Sequence, residues 1–400
     1  MITIKTIIEL FDECPIENVM SALSFEPEKI IYVGFKHIMT EKRKSDLERF
    51  LKMRKINADI SYEIVSRYDY EGIKGKLKSI ISENKDCLLD LTGGKELLLT
   101  AMGAVCESEN IPTIQFNVRK GELIKVKNCE NLPEPKKICL SINEIITLNG
   151  GAIVENEYKI KIHLSPDFIK DIFSAWEIRR ENPPMWAEYI SSLRTLENSA
   201  TYISGDRLEI CINENPKMTA YLKNISVFEK AEFICAKKNS DRIILRYKNR
   251  EVYDMLLKVG NILELYTYAV LTEFTENKPD FSDVGIGVFL DWDGVIHPYY
   301  SKEHDTINEL DIVLVKGAYP IFISCKSGDL KKEALYELST VAEKFGGKHS
   351  GKIVVTNHVS RNISSKDAIL QRAKDMGIKV IYDVDEISKD EFLNLLQNSM

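Results

Sequence analysis

The sequence predicts an α/β protein, with two α/β domains at residues 1–130 and 251–400 joined by a small α+β connector at 131–250. Three observations carry that expectation. Strand and helix signals alternate over residues 28–118. Residues 252–382 give the order α-β-β-β-α-β followed by one more helix-strand pair. The stretch between them holds a proline-bearing segment, mixed helical patterns and one hairpin signal. A chain of 400 residues also exceeds what one ordinary core accommodates.

In the first domain an apolar run at 29–34 ends in Gly34, and a charged helical stretch follows at 41–55. Residues 59–65 read as a second strand, 71–83 as a helix, 87–91 as a strand, 95–109 as a helix and 112–117 as a fourth strand. Such alternation builds βαβ units around a parallel sheet, a Rossmann-like arrangement. Residues 128–150, with Pro133 and Pro135, read as a linker. A strand is expected at 158–162. Helical patterns carry Trp176 and Trp186 around Pro183-Pro184. Strands at 232–236 and 242–247 flank the turn residues 237–241, which suggests a winged-helix-like connector. In the last domain a long helix is expected at 252–275. Strands follow at 286–291, 309–315 and 320–325, then a helix at 331–345, a strand at 352–356 and a helix-strand pair at 365–382.

Composition narrows the function. Apolar residues make up 44% and charged ones 29%, as in a globular protein. No apolar run is long enough to span a bilayer, and the acidic start lacks the layout of a signal peptide. Eight cysteines without a C-x-x-C pair predict reduced thiols in a cytoplasmic protein, not disulfides or a zinc site. The net charge of −7, from 61 acids against 54 bases, argues against a general nucleic-acid coat. Any nucleic acid must be met in a local basic groove. The six histidines show no tight ligand spacing, although His297 and His304 lie near the candidate chemistry.

That chemistry sits in the last domain. Glu309 and Asp311 share one face of a strand, and Ser324 and Lys326 share one face of the next, because residues two apart in a strand point the same way. A turn at Lys316-Gly317 brings the two strands together, and Glu264 on the preceding helix can complete the group. Phosphodiester hydrolysis needs a cation held by hard oxygens, with a lysine to place water or offset developing charge.

The pattern resembles the PD-(D/E)XK nuclease superfamily, most specifically in the E-L-D, S-C-K and A-L-Y-E-L…A-E-K-F-G-G segments. The resemblance implies Mg²⁺ or Mn²⁺ held by Asp311 with Glu264 or Glu309 and the Cys325 carbonyl, and Lys326 acting on water. It departs at Ser324, where the family's second acid belongs. Glu264, Glu309 and Glu337 are the candidates to replace it. A competing motif, Asp291-Trp-Asp293-Gly294, looks like the first motif of haloacid-dehalogenase-type phosphatases. The following residues lack that fold's expected helix, and Asp293-Gly294 reads instead as a hairpin turn.

In the first domain Asp90-Leu-Thr92-Gly93-Gly94-Lys95 lies where a strand meets a helix. Glycines there let backbone N–H groups approach a phosphate, Lys95 adds charge, and Gly34 and Lys36 belong to the same sheet edge. The alternative is a turn with Thr92 as the helix N-cap. Together with Pro15-Ile-Glu-Asn18 and the strand ending at Gly34, this segment resembles the CARF domain, a sensor of cyclic oligoadenylates.

CARF in front and PD-(D/E)XK behind resembles the type III CRISPR ancillary nucleases that carry one domain of each per chain. That resemblance implies a homodimer and antiviral defence. It also implies cyclic tetra-adenylate as allosteric activator, with Gly34, Lys36, Thr92, Gly93, Gly94 and Lys95 in its pocket, and DNA or RNA as substrate. A regulator on an inactive nuclease fold is the alternative that Ser324 raises.

Overall fold

A computed structural model describes residues 4–154, 162–203, 205, 208–239, 241–257, 262–297 and 307–400. The expected strand at 158–162 falls almost wholly outside these residues, as does His304.

The N-terminal sheet begins one strand earlier than the sequence predicted. β1 (Thr6–Leu10) is followed by a 3-10 turn (Pro15–Asn18) and α1 (Met20–Phe25). Next come β2 (Lys29–Phe35), α2 (Glu41–Met53), β3 (Asp59–Val65), α3 (Tyr70–Glu83), β4 (Cys87–Asp90), α4 (Glu96–Glu109), β5 (Thr113–Asn117) and β6 (Glu122–Lys127). The order is β3-β2-β1-β4-β5-β6, parallel except for β6. β1 is the missed centre: all five residues are buried, so it shows no polar-apolar alternation. The order reverses between β1 and β4, which makes their carboxyl ends the switch point where ligands of such sheets bind.

The segment expected to be a linker is structured. Within it α5 (Ile142–Leu148) starts at a capping box, Ser141 with Glu144, a signal present in the sequence. Glu144 also meets Arg54 of α2 at 2.8 Å, and β7 (Ala152–Ile153) joins the C-terminal sheet.

Beyond it lie α6 (Pro166–Glu181), α7 (Pro183–Asn198), β8 (Thr201–Tyr202), β9 (Glu209–Asn213), α8 (Pro216–Asn224), α9 (Ser226–Lys230), β10 (Ile234–Asn239), β11 (Arg242–Tyr247) and α10 (Arg250–Leu257). The strands form an antiparallel sheet ordered β10-β11-β9-β8, with the expected hairpin as its edge pair. Residues 237–239 lie in β10, so the turn is shorter than the sequence suggested.

The C-terminal elements are α11 (Ile262–Thr275), β12 (Phe281–Asp291), β13 (Ile307–Lys316), β14 (Tyr319–Asp329), α12 (Lys332–Gly346), β15 (Gly351–His358), α13 (Ile363–Asp375), β16 (Lys379–Ile381) and α14 (Lys389–Ser399). Their sheet runs β16-β15-β14-β13-β12-β7: an antiparallel meander β12-β13-β14, continued by parallel β15 and β16.

This sheet is the spine of the molecule. Val313, Val315, Phe322 and Val354 enter a core continuous with the N-terminal sheet, α5 and α12. Ile312, Leu314, Ile321, Ile323 and Cys325 enter a second core with α6, α7, α11 and the middle sheet. Alternate residues of each strand thus face alternate domains, as period-two geometry requires.

Candidate active site and switch-point pocket

β13 and β14 pair from Lys316↔Tyr319 as far as Ile312↔Ile323. Past that point they part: β13 continues on β12, and β14 continues on β15. The Asp311 side chain fills the opening in place of a ladder bond. Its Oδ2 accepts the backbone N–H of Cys325 at 2.6 Å and the Ser324 hydroxyl at 3.1 Å, and Lys326 Nζ stands 3.6 Å away. All three contacts fall on Oδ2, while Oδ1 carries none of them. The sequence thus placed Asp311, Ser324 and Lys326 in one site.

Glu264 belongs to the same neighbourhood, as its effect on the Cys325 thiol shows. That thiol is pushed well above its ordinary range first by burial, then by the carboxylates of Asp311 and Glu264. A thiol held protonated is no metal ligand, which leaves the Cys325 carbonyl. Glu264 is half-buried in the first turn of α11, where the helix dipole favours a carboxylate. Glu309 and Glu337 are exposed. Glu309 points with Asp311 along β13, and Glu337 lies on the outer surface of α12. Asp311, Glu264 and the Cys325 carbonyl offer hard oxygen donors of the kind that Mg²⁺ or Mn²⁺ prefers, so the donor chemistry of the residues present suits such an ion.

Sequence reasoning passed over two residues at this edge. In β15, Thr356 pairs with Lys326. The next residue, Asn357, has both side-chain amide atoms buried without a hydrogen-bond partner. His358 Nε2 lies 3.6 Å from Asp329. A polar pair directly after an apolar strand was the available signal.

The phosphatase-like motif is a structural turn. Asp291 is buried, and its Oδ2 accepts the N–H groups of Asp293 and Gly294. Lys42 of α2 donates to the Asp293 carbonyl at 3.1 Å. Gly294 has φ +79°, so the expected turn is present. It does not close a tight hairpin, because Asp291 pairs with Ile307 across residues 292–306. Asp291 also ends an antiparallel strand, whereas the phosphatase reading needs a strand that leads into a helix.

At the switch point Thr92, Gly93, Gly94 and Lys95 bridge β4 and α4 across the end of β1. A Cβ on Gly94, whose φ is +101°, would sit 2.6 Å from the Leu10 Cβ, and one on Gly93 would sit 3.0 Å from the Leu10 carbonyl oxygen. The glycines therefore let the loop cross β1. Asp12 Oδ2 accepts the Gly94 N–H at 3.0 Å, so a carboxylate of the chain stands where a phosphate was expected on that amide. Thr92 is not the helix N-cap. Its hydroxyl donates to Asp90 and accepts the Phe116 N–H, and α4 has Lys95 at its cap position. Lys95 pairs with Glu13. Gly34 packs on Met39 and Phe11, while Lys36 is exposed beyond β2.

Beneath the loop, Glu9 and Asp90 are paired in register on β1 and β4 and are fully buried. Burial pushes the Asp90 carboxyl up to about 6. It raises Glu9 well above the usual range, and Asp90 adds to that.

The pocket adjoins the C-terminal domain. Glu17 receives Lys348 at 2.9 Å and His349 at 2.8 Å, and Cys14 Sγ lies 3.2 Å from where a Gly347 Cβ would stand. Cys14, Glu17 and His349 bring possible metal-ligand atoms within 4.8 Å of one another. Lys348 already neutralises Glu17, and burial followed by the Glu17 charge pushes the Cys14 thiol up to about 12. The trio is therefore an ion-paired seam. Among the described residues, the carboxylates around Asp311 do not draw together to that spacing.

Residues 251–396 match the family model described as the Card1-like endonuclease domain. The crystal structure of VC1899 from Vibrio cholerae is similar at 18% identity and a TM-score of 0.73, covering 98% of this chain and 96% of that one. Can2 from Sulfobacillus thermosulfidooxidans, solved in complex with cyclic tetra-adenylate, is similar at 13% identity and a TM-score of 0.67, covering 100% and 98%. The chain therefore shares one fold with both from end to end, with a Rossmann-like sheet in front and a nuclease-like α/β domain behind. No curated protein matches it in sequence.

Proposed function

We propose that this chain is a metal-dependent nuclease switched by a cyclic oligoadenylate bound at the carboxyl ends of β1 and β4. The observation that carries the nuclease half is the parting of β13 and β14 around Asp311, with Ser324, the Cys325 amide and Lys326 converging on one oxygen. The match of residues 251–396 to the Card1-like endonuclease domain supports it. The sensor half is supported by the switch-point geometry and by the end-to-end likeness to Can2, the protein solved with cyclic tetra-adenylate.

In this reading residues 1–130 sense, 131–250 connect and 251–400 cut. Two copies pair about a two-fold axis so that one ring meets two equivalent pockets. The ligand set around it is Gly34, Lys36, Thr92, Gly93, Gly94 and Lys95, the two lysines by charge and Thr92 by fixing the loop. All eight cysteines are free, and no helix among the described residues is long and apolar enough to cross a membrane. Both facts suit the cytoplasm.

At the cutting site Asp311 Oδ1, Glu264 and the Cys325 carbonyl would hold Mg²⁺ or Mn²⁺, with Glu309 and Glu337 as outer alternatives. Such an ion supplies charge neutralisation and an acidified water. Ser324 and the Cys325 amide fix the Asp311 carboxylate in one orientation. Lys326, on the same strand face as Ser324, presents its ammonium to the scissile phosphate and to the attacking water.

Supercoiled plasmid and single-stranded RNA, incubated with Mn²⁺ and cyclic tetra-adenylate, test this. Wild type should cut at least one of them, and Asp311→Asn and Lys326→Ala should each lose roughly 10²–10³-fold in rate. If wild type cuts neither, the chain is a ligand-binding regulator on an inactive nuclease fold. The serine in place of the second acid favours that reading.

A further inference from the structure

The switch-point loop has a second ammonium beside it, and it comes from the other domain. Lys348 follows α12, the helix that packs on the inner face of β14 and β15. Its Nζ lies 2.9 Å from Glu17, and the side chain is 59% exposed. The Asp12 carboxylate accepts the amides of Cys14 and Gly94 and feels the charges of both Lys348 and Lys95. A Cβ on Gly93 would meet the Asp12 Cβ at 3.0 Å and the Glu17 Cβ at 3.3 Å, so Glu17 and the Lys348 it holds stand directly beside the glycine loop that leads into Lys95. Burial works against the Lys348 charge, and Glu17 more than restores it, so the group enters the pocket as a cation.

We propose that Lys348 is a ligand-binding residue, and that a phosphodiester anion is held between Lys95 and Lys348 across the seam of the two domains. The inference rests on the sensor reading given above. It also supplies a route for the signal. Lys95 is engaged by Glu13 and Lys348 by Glu17, so each lysine already has a carboxylate partner. An incoming phosphate competes with Glu13 and Glu17 for them. Pairs with solvent-exposed lysines are cheap to break. Once Lys348 turns to the ligand, Glu17 keeps only His349. The loop 347–350 then shifts its hold on the N-terminal domain. This loop joins α12 to β15, and β15 holds Lys326 through Thr356. Gly347 against Cys14 leaves little slack in the seam, so movement at one side is passed to the other.

Calorimetry on the full-length protein with cyclic tetra-adenylate, and separately with linear tetra-adenylate, tests this. Lys348→Ala should weaken binding of the cyclic ligand about tenfold. It should also flatten the dependence of log affinity on log salt by roughly 0.7, as expected for one lost phosphate contact. Lys348→Arg should restore most of both. Lys331→Ala, an exposed lysine at the other end of α12, should change neither. If wild type binds and Lys348→Ala binds equally well with the same salt slope, the inference falls and the sensor reading stands. If wild type binds neither ligand, the sensor reading falls and takes the inference with it. Equal affinity for the linear and cyclic forms would leave Lys348 as a phosphate contact but overturn a ring-specific pocket.

Discussion

The two strand ends proposed to carry this protein's chemistry are built in opposite ways. At the C-terminal sheet the strands separate, and a carboxylate stands in the gap with one oxygen held and the other bearing none of those contacts. At the N-terminal sheet the strands stay closed. The loop over them is tied down by its own residues: Asp12 takes the Gly94 amide, Thr92 bridges Asp90 and Phe116, and the glycines pack on Leu10. The first arrangement presents functional groups. The second uses most of its motif for shape, and in the proposed sensor reading recognition falls to lysines at its rim. A motif of glycines and threonine is thus weaker evidence for contact with a ligand than the same number of residues converging on one oxygen.

That contrast makes different demands on substitution. At the cutting site the acids should differ sharply in worth. Glu264→Gln should slow cleavage roughly ten- to a hundredfold and raise the metal concentration needed, because Glu264 shares the surroundings of Cys325 with Asp311. The exposed Glu309 should cost only a few-fold as Gln. Rates against Mn²⁺ concentration check both, and an equal loss from the two variants would remove the distinction.

At the switch point the smaller effects should appear as stability. The folded Asp90 carboxyl is held at about 6, above the roughly 3.9 of an unfolded aspartate. A raised folded value means that its contribution is fully present below about pH 4 and is lost as pH rises through about 6. Asp90→Asn removes that dependence while keeping an acceptor for Thr92. The variant should therefore gain on wild type by about 2 kcal/mol between pH 4 and pH 7. Denaturant titrations at both pH values measure the difference, and a constant gap would show that Asp90 is ionised in the fold throughout.

The same contrast explains what was legible in the sequence. Asp311, Ser324 and Lys326 could be read because strand periodicity and a short turn bring them together. β14 and β13 are joined by Gly317-Ala318 alone, with Gly317 at φ +62°. β1 was missed because burial on both faces, Glu9 included, erased its period. The capping box at Ser141 is a local signal, but Pro133 and Pro135 had marked the whole segment as a linker. The role of Asp12 beneath Gly94, and the meeting of Glu17 with Lys348 and His349, join residues 82 or more positions apart. No local pattern records such contacts. The resemblance to a two-domain nuclease implied that the domains communicate, and the structure shows where they touch.

The most direct test of the whole account is the cleavage rate of wild-type protein with Mn²⁺, with and without cyclic tetra-adenylate. A mostly silent enzyme made mostly active requires a ligand that prefers the active state by roughly 10⁴-fold. The account therefore predicts an acceleration of about a hundredfold on plasmid or RNA. Equal rates with and without the ligand would contradict it, by showing a cutting site that takes no instruction from the pocket in front of it.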